Sequence, residues 1–336
     1  MRLSEYDQSA VKLADAALTK ILQFHYNREI AAPKQRPPSG FVFHYTTTEG
    51  LRGIVENNEL WATSAYFLND TTEITHGYGV LRYAFDEWLN KNPRPEDSLN
   101  FALVQELKNS FESDFSLMQP IFLASFCEED DLLSQWRGYS QTGGYSLGFK
   151  VPPPPLSTEL KPEPTTFTYR LVKVEYYRDE QLSRCKAILE SILPIFDDLD
   201  TARAIAKIGP HPFSGYAAIR KELTDILLEE IAGFKNKHFE SEKEWRAVVR
   251  RRVRYKQGKD DGSKTPSPIH FRNANRTRVP YIKLIPFDAR KKIPIARIRS
   301  GPTNDKSTTG SAVEVLLRTH GFNDVELLDS GIPLRR

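Results

Sequence analysis

The sequence predicts an α+β domain, a mixed β-sheet carrying helical insertions. Three observations point there. Roughly seven segments read as strands, some as continuous apolar runs and some as alternations of period two. The helical segments gather in two clusters instead of alternating with the strands, which disfavours a doubly wound parallel sheet. The 336 residues are 39% hydrophobic and 27% charged, enough apolar side chain to bury a sizeable core.

Each element has a local reason. Residues 8–27 place Val11, Leu13, Ala14, Ala17, Leu18, Ile21 and Leu22 at helical spacing. The prolines of "AAPKQRPPSG" (31–40) mark a linker. Residues 1–40 are therefore expected to form a helix and linker ahead of one domain over 41–336. "FVFHY" (41–45) reads as a short strand. Thr47 or Thr48 can cap the helix "EGLRGIVENN", and Glu49 suits its first turn. Two further helices are expected near 71–90 and 98–115. "PIFLASFCE" (120–128) and "YSLGFK" (145–150) read as buried strands, and prolines then carry the chain through a surface excursion. "RLVKVEYY" (170–177) alternates like a half-buried strand. A helical insertion covers about 178–237, broken at "GPHPFSG", and "EWRAVVRRRV" (244–253) alternates again. "VPYIKLIP" and "IARIRSG" are late strands, "AVEVLLRTHG" is a helix stopped by Gly321, and "DVELLD" closes the series.

Composition excludes some classes. No window reaches the eighteen or so uninterrupted apolar residues of a membrane helix, so no membrane partner is expected. Cys127 and Cys185 lie far apart and no apolar leader opens the chain, which predicts a reducing, cytoplasmic setting. Net charge is only +3, but residues 246–259 hold seven Lys or Arg and no acid. Such a run is commonly the solvated face of a strand; it also suits phosphates, so Arg246–Lys259 is a candidate nucleic-acid contact.

Four stretches gather polar and aromatic residues beside expected strand ends: "FHYTT", "LNDTTEITH", residues 125–150 and "HFESEKEWRAV". In the third, Trp136, Tyr139 and Tyr145 offer flat faces near Gly138, Gly143 and Gly144, which permit close backbone approach. The alternative is a glycine-rich turn with an aromatic packed beneath it. In the fourth, Glu242, Glu244 and Arg246 would share one strand face, a carboxylate pair beside a guanidinium. The alternative there is an ordinary surface Glu–Arg pair. Asn69 and Asp70 precede a helix and could cap it or line a site with Glu73. Glu73 and His76, with His44, could share a metal, but a second histidine at helical spacing is missing and no metal is expected. No nucleophile elbow, phosphate loop or dinucleotide fingerprint occurs.

The order His44-Tyr45, then Tyr145, then Glu242-Lys243-Glu244 resembles the His…Tyr…Glu layout of ADP-ribosyltransferase-like folds. More closely, "HYT…LRGI…LWAT…LND…E", "SFCEEDDLLSQWRGY…GYSLGF", "EKEWR" and "GIPLR" resemble a widespread bacterial family catalogued only as a domain of unknown function, across about 41–335. Where many members of the superfamily carry glycine after the first helix, this chain has Asn58-Glu59-Leu60.

The resemblance implies a split β-sheet and transfer of ADP-ribose from NAD to a macromolecular acceptor, a protein or a nucleic acid. It implies that His44 bonds a ribose of NAD, and that Tyr145, or its rivals Trp136 and Tyr139, stacks on nicotinamide. Glu244 would stabilise the oxocarbenium-like transition state and Glu242 would be its partner in the pair. Tyr45, Asn69, Asp70 and Arg246 would complete the cofactor site. A catalytically silent module binding a nucleotide or nucleic acid is the alternative, and an RNA-directed hydrolase the third.

Overall fold

The computed structural model describes residues 5–31, 36–68, 72–112, 121–139, 144–151, 160–162, 167–205, 216–251, 255–256, 259–260, 269–274, 277–286, 290–302 and 306–333. In chain order the elements are α1 (Glu5–Ala31), β1 (Phe41–Thr47), α2 (Thr48–Asn57), β2 (Leu60–Ser64), α3 (Thr72–Lys91), α4 (Leu99–Glu112), β3 (Ile121–Cys127) and α5 (Leu133–Tyr139). There follow β4 (Gly144–Lys150), β5 (Leu160–Pro162), β6 (Phe167–Lys173), α6 (Arg178–Ile205), α7 (Tyr216–Ile231), β7 (Glu244–Arg251), β8 (Tyr255–Lys256) and β9 (Lys259–Asp260). The last are β10 (His270–Ala274), β11 (Thr277–Pro286), β12 (Ile295–Ser300), α8 (Lys306–Thr319) and β13 (Glu326–Asp329).

The expected α+β class is observed. Among the described residues the main sheet runs β10-β11-β2-β3-β1-β4-β12-β13, with β7 also on β3, β6 beyond β7 and β5 on the end of β11. Pairing is antiparallel except between β12 and β13, and β8 and β9 form a separate ribbon.

The sheet is split at β3. One edge of β3 is filled by β7 along the whole strand, from Ile121↔Arg250 to Cys127↔Glu244. The other edge is shared: β2 takes its beginning at Thr63↔Leu123 and Ser64↔Phe122, and β1 takes its end at Phe43↔Cys127. Between them the outer edge of β3 has no described strand partner.

Strand alternation sorts the core into two sides. On one, Leu123 and Val248 pack with Val172 against α1, α3, α4, α6 and α7. Phe43, Tyr45, Cys127 and Trp136 continue that side under α5. On the other, Phe122, Ala124, Phe126, Trp245 and Leu147 pack against α2 and α8. The helical insertion thus covers one side only, and α1 lies against its α6 and α7.

Two expectations change in detail. "LSQWRGY" is the helix α5, not a turn at a strand edge, and Trp136 is buried in it. β2 carries no strand signal because its five residues include only two large apolar side chains. Asn58 explains the missing glycine: it ends α2 in the left-handed region at φ 56°, which asparagine tolerates best after glycine. Its side chain also donates to Lys291 O and accepts from Ile293 N, ties that glycine could not make.

The crossing of α3 and α7 requires glycine at 77. A Cβ there would stand 2.8 Å from Ile231 Cβ and 3.1 Å from the Ile231 carbonyl oxygen, whereas one at Gly79 meets nothing. Gly77→Ala should therefore destabilise by about 1–3 kcal/mol through overpacking. Gly79→Ala, in the same helix, should stabilise by roughly 0.5–1 kcal/mol. Denaturant titration of both variants checks the opposite signs.

Candidate functional site

Ser125 lies at the split, bonded by His44 from one side and beside Glu244 on the other. After Phe43↔Cys127 an antiparallel ladder would next join Tyr45 to Ser125. Instead the half-buried His44 imidazole reaches across, and Nδ1 lies 2.9 Å from Ser125 O. A carbonyl only accepts, so Nδ1 carries the proton and Nε2 of the neutral ring keeps its lone pair. Burial holds the His44 pKa below its ordinary value, against the opposing pull of the Ser125 bond. The ring is therefore neutral at neutral pH, and among the described residues Nε2 has no hydrogen-bond partner.

Glu244 stands on the other side of Ser125. It opens β7 and is 4% exposed. Arg246 holds it in a fork, Nε to Oε1 and Nη2 to Oε2, both at 2.9 Å. Lys235 Nζ reaches Glu244 Oε2 at 3.0 Å and Glu242 Oε2 at 2.7 Å. Burial alone would raise the Glu244 pKa. The charges of Arg246 and Lys235, with bonds from Arg246 and the Ser125 side chain, more than offset it and bring the carboxyl to about 2. Arg246, 1% exposed, spends Nη1 on Ala232 O at 2.8 Å, and the Glu244 amide donates to Tyr176 Oη.

The expected residues do not all face one another. Glu244 and Arg246 share the side of Cys127, while register places His44 with Phe126 and Leu147 on the other. Tyr145 lies on His44's side, 6% exposed, with burial raising its pKa and a hydrogen bond to Thr48. Tyr45 and Trp136 lie on Glu244's side but face inward. Tyr45 Oη donates to Glu129 O and accepts from Leu132 N, and burial raises its pKa. The Trp136 ring packs edge-on to Tyr45 at 4.7 Å and donates Nε1 to Asp131. Tyr139 is the exposed aromatic of the three rivals, at 41%. Glu242 is not on the strand. It ends the 3-10 turn Lys237–Glu242, after which Lys243 turns left-handed at φ 47°. It still meets Glu244 through Lys235, and Gln135 donates to its carbonyl. Asn69 and Asp70 lie outside the described residues; Thr47, not Thr48, caps α2. His76 Nε2 stands 3.0 Å from Gln181 Oε1.

Sequence reasoning missed Lys235 and Tyr176. Lys235 carried a signal, because a lysine seven residues before Glu242 and nine before Glu244 can supply the cation such a pair needs. The acidic run Glu128–Asp131 was also missed. Glu128 takes Lys173 and Trp245 Nε1, Glu129 takes Lys243, Asp130 takes Arg299, and Asp131 takes Ser330 and Gly331 N besides Trp136. Burial pushes the Cys127 thiol to about 12, which removes it as a nucleophile at neutral pH.

A family model described as a protein of unknown function (DUF2971) matches residues 135–247. The match runs from α5 through the helical insertion into β7, so it contains Lys235, Glu242, Glu244 and Arg246 but not His44. No curated protein and no solved structure matches the chain. Among the described residues, no helix is long and apolar enough to cross a membrane.

The Glu244 pKa is depressed on folding, so its contribution to stability is present above the unfolded value near 4.5 and is lost as pH falls toward about 2. Glu244→Gln should flatten that acid limb. It should also cost about 3–5 kcal/mol at neutral pH, since Arg246 and Lys235 stay buried without their counter-ion. Urea midpoints at pH 7, 4 and 3 measure both effects, and equal losses at all three would contradict the assignment.

Proposed function

We propose that the chain is a nucleotide-binding domain whose ligand is NAD or a close relative, engaged at the opening between β1 and β3. The observation that supports it is the His44 imidazole. A strand residue replaces a ladder bond with its side chain, and the tautomer this fixes leaves Nε2 as an acceptor. A ribose hydroxyl is the donor such an acceptor suits. The resemblance assigns His44 the same contact.

Transfer of ADP-ribose from that NAD is the second reading. One observation favours it: Glu242 and Glu244 are both drawn to Lys235, so two carboxylates share one cation, and the Ser125 side chain bonds Glu244. The geometry ranks it behind binding. Both Glu244 oxygens are committed to Arg246 and Lys235, and the carboxylate lies across the sheet from His44. A carboxylate that stabilises an oxocarbenium-like centre must face it directly. Glu242, whose side chain is 24% exposed, is the more available of the pair.

Calorimetric titration of the full chain with NAD tests the binding reading. His44→Phe keeps an aromatic ring against Phe126 and removes both nitrogens. It should lower NAD affinity about tenfold or more while costing about 1 kcal/mol of stability, the ordinary worth of one hydrogen bond. A wild-type protein that binds no NAD ends the reading. Label passing from radiolabelled NAD to a cell extract, abolished by Glu242→Gln, would raise transfer above binding alone.

A further inference from the structure

We propose that the β2–β11–β10 end of the sheet is a docking surface for single-stranded nucleic acid with Trp61 as its stacking platform. Trp61 is 39% exposed, whereas Trp88, Trp136 and Trp245 are 6%, 2% and 1%. It is not a loose surface side chain. Its ring stacks on Tyr281 with centroids 4.2 Å apart and planes 29° from parallel. Its Nε1 donates to Glu59 Oε1 at 2.8 Å. An indole braced on one face and along one edge holds a fixed plane, which is what a stacking site requires.

The register builds a row around it. Trp61 stands opposite Lys283, Thr63 opposite Tyr281, and Tyr281 opposite His270, so all five project on the same side of three adjoining strands. His270 continues the aromatic row, its centroid 5.4 Å from that of Tyr281. Arg272, exposed, reaches back to Thr63 Oγ1.

Charge favours a polyanion. Among the described residues between Ile269 and Lys292 there are six Lys or Arg and no Asp or Glu. The acid that intrudes is Glu59, which is 7% exposed and occupied by Trp61 and by Lys283 Nζ at 3.0 Å. Exposed Lys291 adjoins the same corner through the bond from Asn58 to its carbonyl. Bases stack on aromatic faces whatever their identity, and phosphates follow nearby cations, so the fit is to a single strand without sequence preference.

This differs from the basic run expected to meet nucleic acid. Arg246, which begins that run, is sealed in the ion cluster, and Ala247, Val248 and Val249 behind it are core. The side chains from 250 to 259 lie outside the described residues, whereas Arg272 and Arg278 on β10 and β11 are exposed.

The test uses the full chain and an oligothymidylate of about twelve nucleotides at about 50 mM salt, followed by tryptophan fluorescence and anisotropy. Because Trp61 is the exposed indole, binding should quench emission. Trp61→Phe should abolish the quench while keeping binding, Trp61→Ala should weaken binding about tenfold, and Arg272→Ala should lower the salt slope by about one. The proposal is overturned if the oligonucleotide does not bind. It is also overturned if the quench persists in Trp61→Phe, if a duplex of the same length binds equally, or if polyglutamate gives the same quench. The last result would assign the surface to acidic peptides.

Discussion

The buried Arg246 guanidinium is the constraint around which this half of the molecule is arranged. A desolvated cation costs many kcal/mol unless its charge and donors are met. Here Nε and Nη2 go to Glu244 and Nη1 to Ala232 O, so the arginine bolts the start of β7 to the segment that follows α7. Glu244 has more acceptor capacity than one arginine uses. Lys235 takes up the surplus and brings Glu242 with it, which fixes the 3-10 turn ahead of β7. Two carboxylates and two cations make a cluster with no formal charge, the condition under which such a group tolerates burial. The left-handed Lys243 is the backbone consequence: the chain must turn sharply between Glu242 in the turn and Glu244 on the strand.

The same cluster explains why a Glu-x-Glu pair read from sequence is ambiguous. In the one-dimensional pattern, two glutamates and an arginine at alternate positions describe a solvated strand edge, a catalytic pair or a buried ion cluster equally well. Burial decides between them, and burial at 244 and 246 follows from α7 and Lys235, which approach from elsewhere in the chain. The strands themselves were legible because their pattern is local: "IFLASFC" and "GYSLGF" are apolar on both faces since helices cover both sides of the central sheet. The β2 strand and the helix α5 were not, being five and seven residues long, too short for a period to establish itself.

Trp136 and Tyr45 show the other limit. Aromatic residues beside glycines suggest a ligand face, yet here the face of each ring is taken by protein. A Cβ at Gly301 would lie 3.0 Å from the Trp136 ring, so that glycine exists to let the chain pass over the indole. Asp131 then collects Trp136 Nε1, Ser330 Oγ and the Gly331 amide, drawing the closing segment onto α5. Charge balance dominates this loop: the acids of Glu128–Asp131 meet lysines and arginines from β6, β12 and the turn before β7. What read as a binding wall is a clamp that fixes the end of β3.

That clamp matters for the split. β3 is held on one edge by β7 and at its tip by the acidic run, while β1 and β2 diverge along its free edge. A sheet opened in this way exposes backbone groups that must be satisfied, since a buried unpaired carbonyl costs about as much as a lost hydrogen bond. Ser125 O accepts a hydrogen bond from His44 Nδ1 for that reason, and this bond fixes the imidazole. The residue that closes the gap structurally is also the one that presents a fixed acceptor within it. Under the binding reading proposed above, a ligand would meet a His44 already ordered by the repair of the sheet.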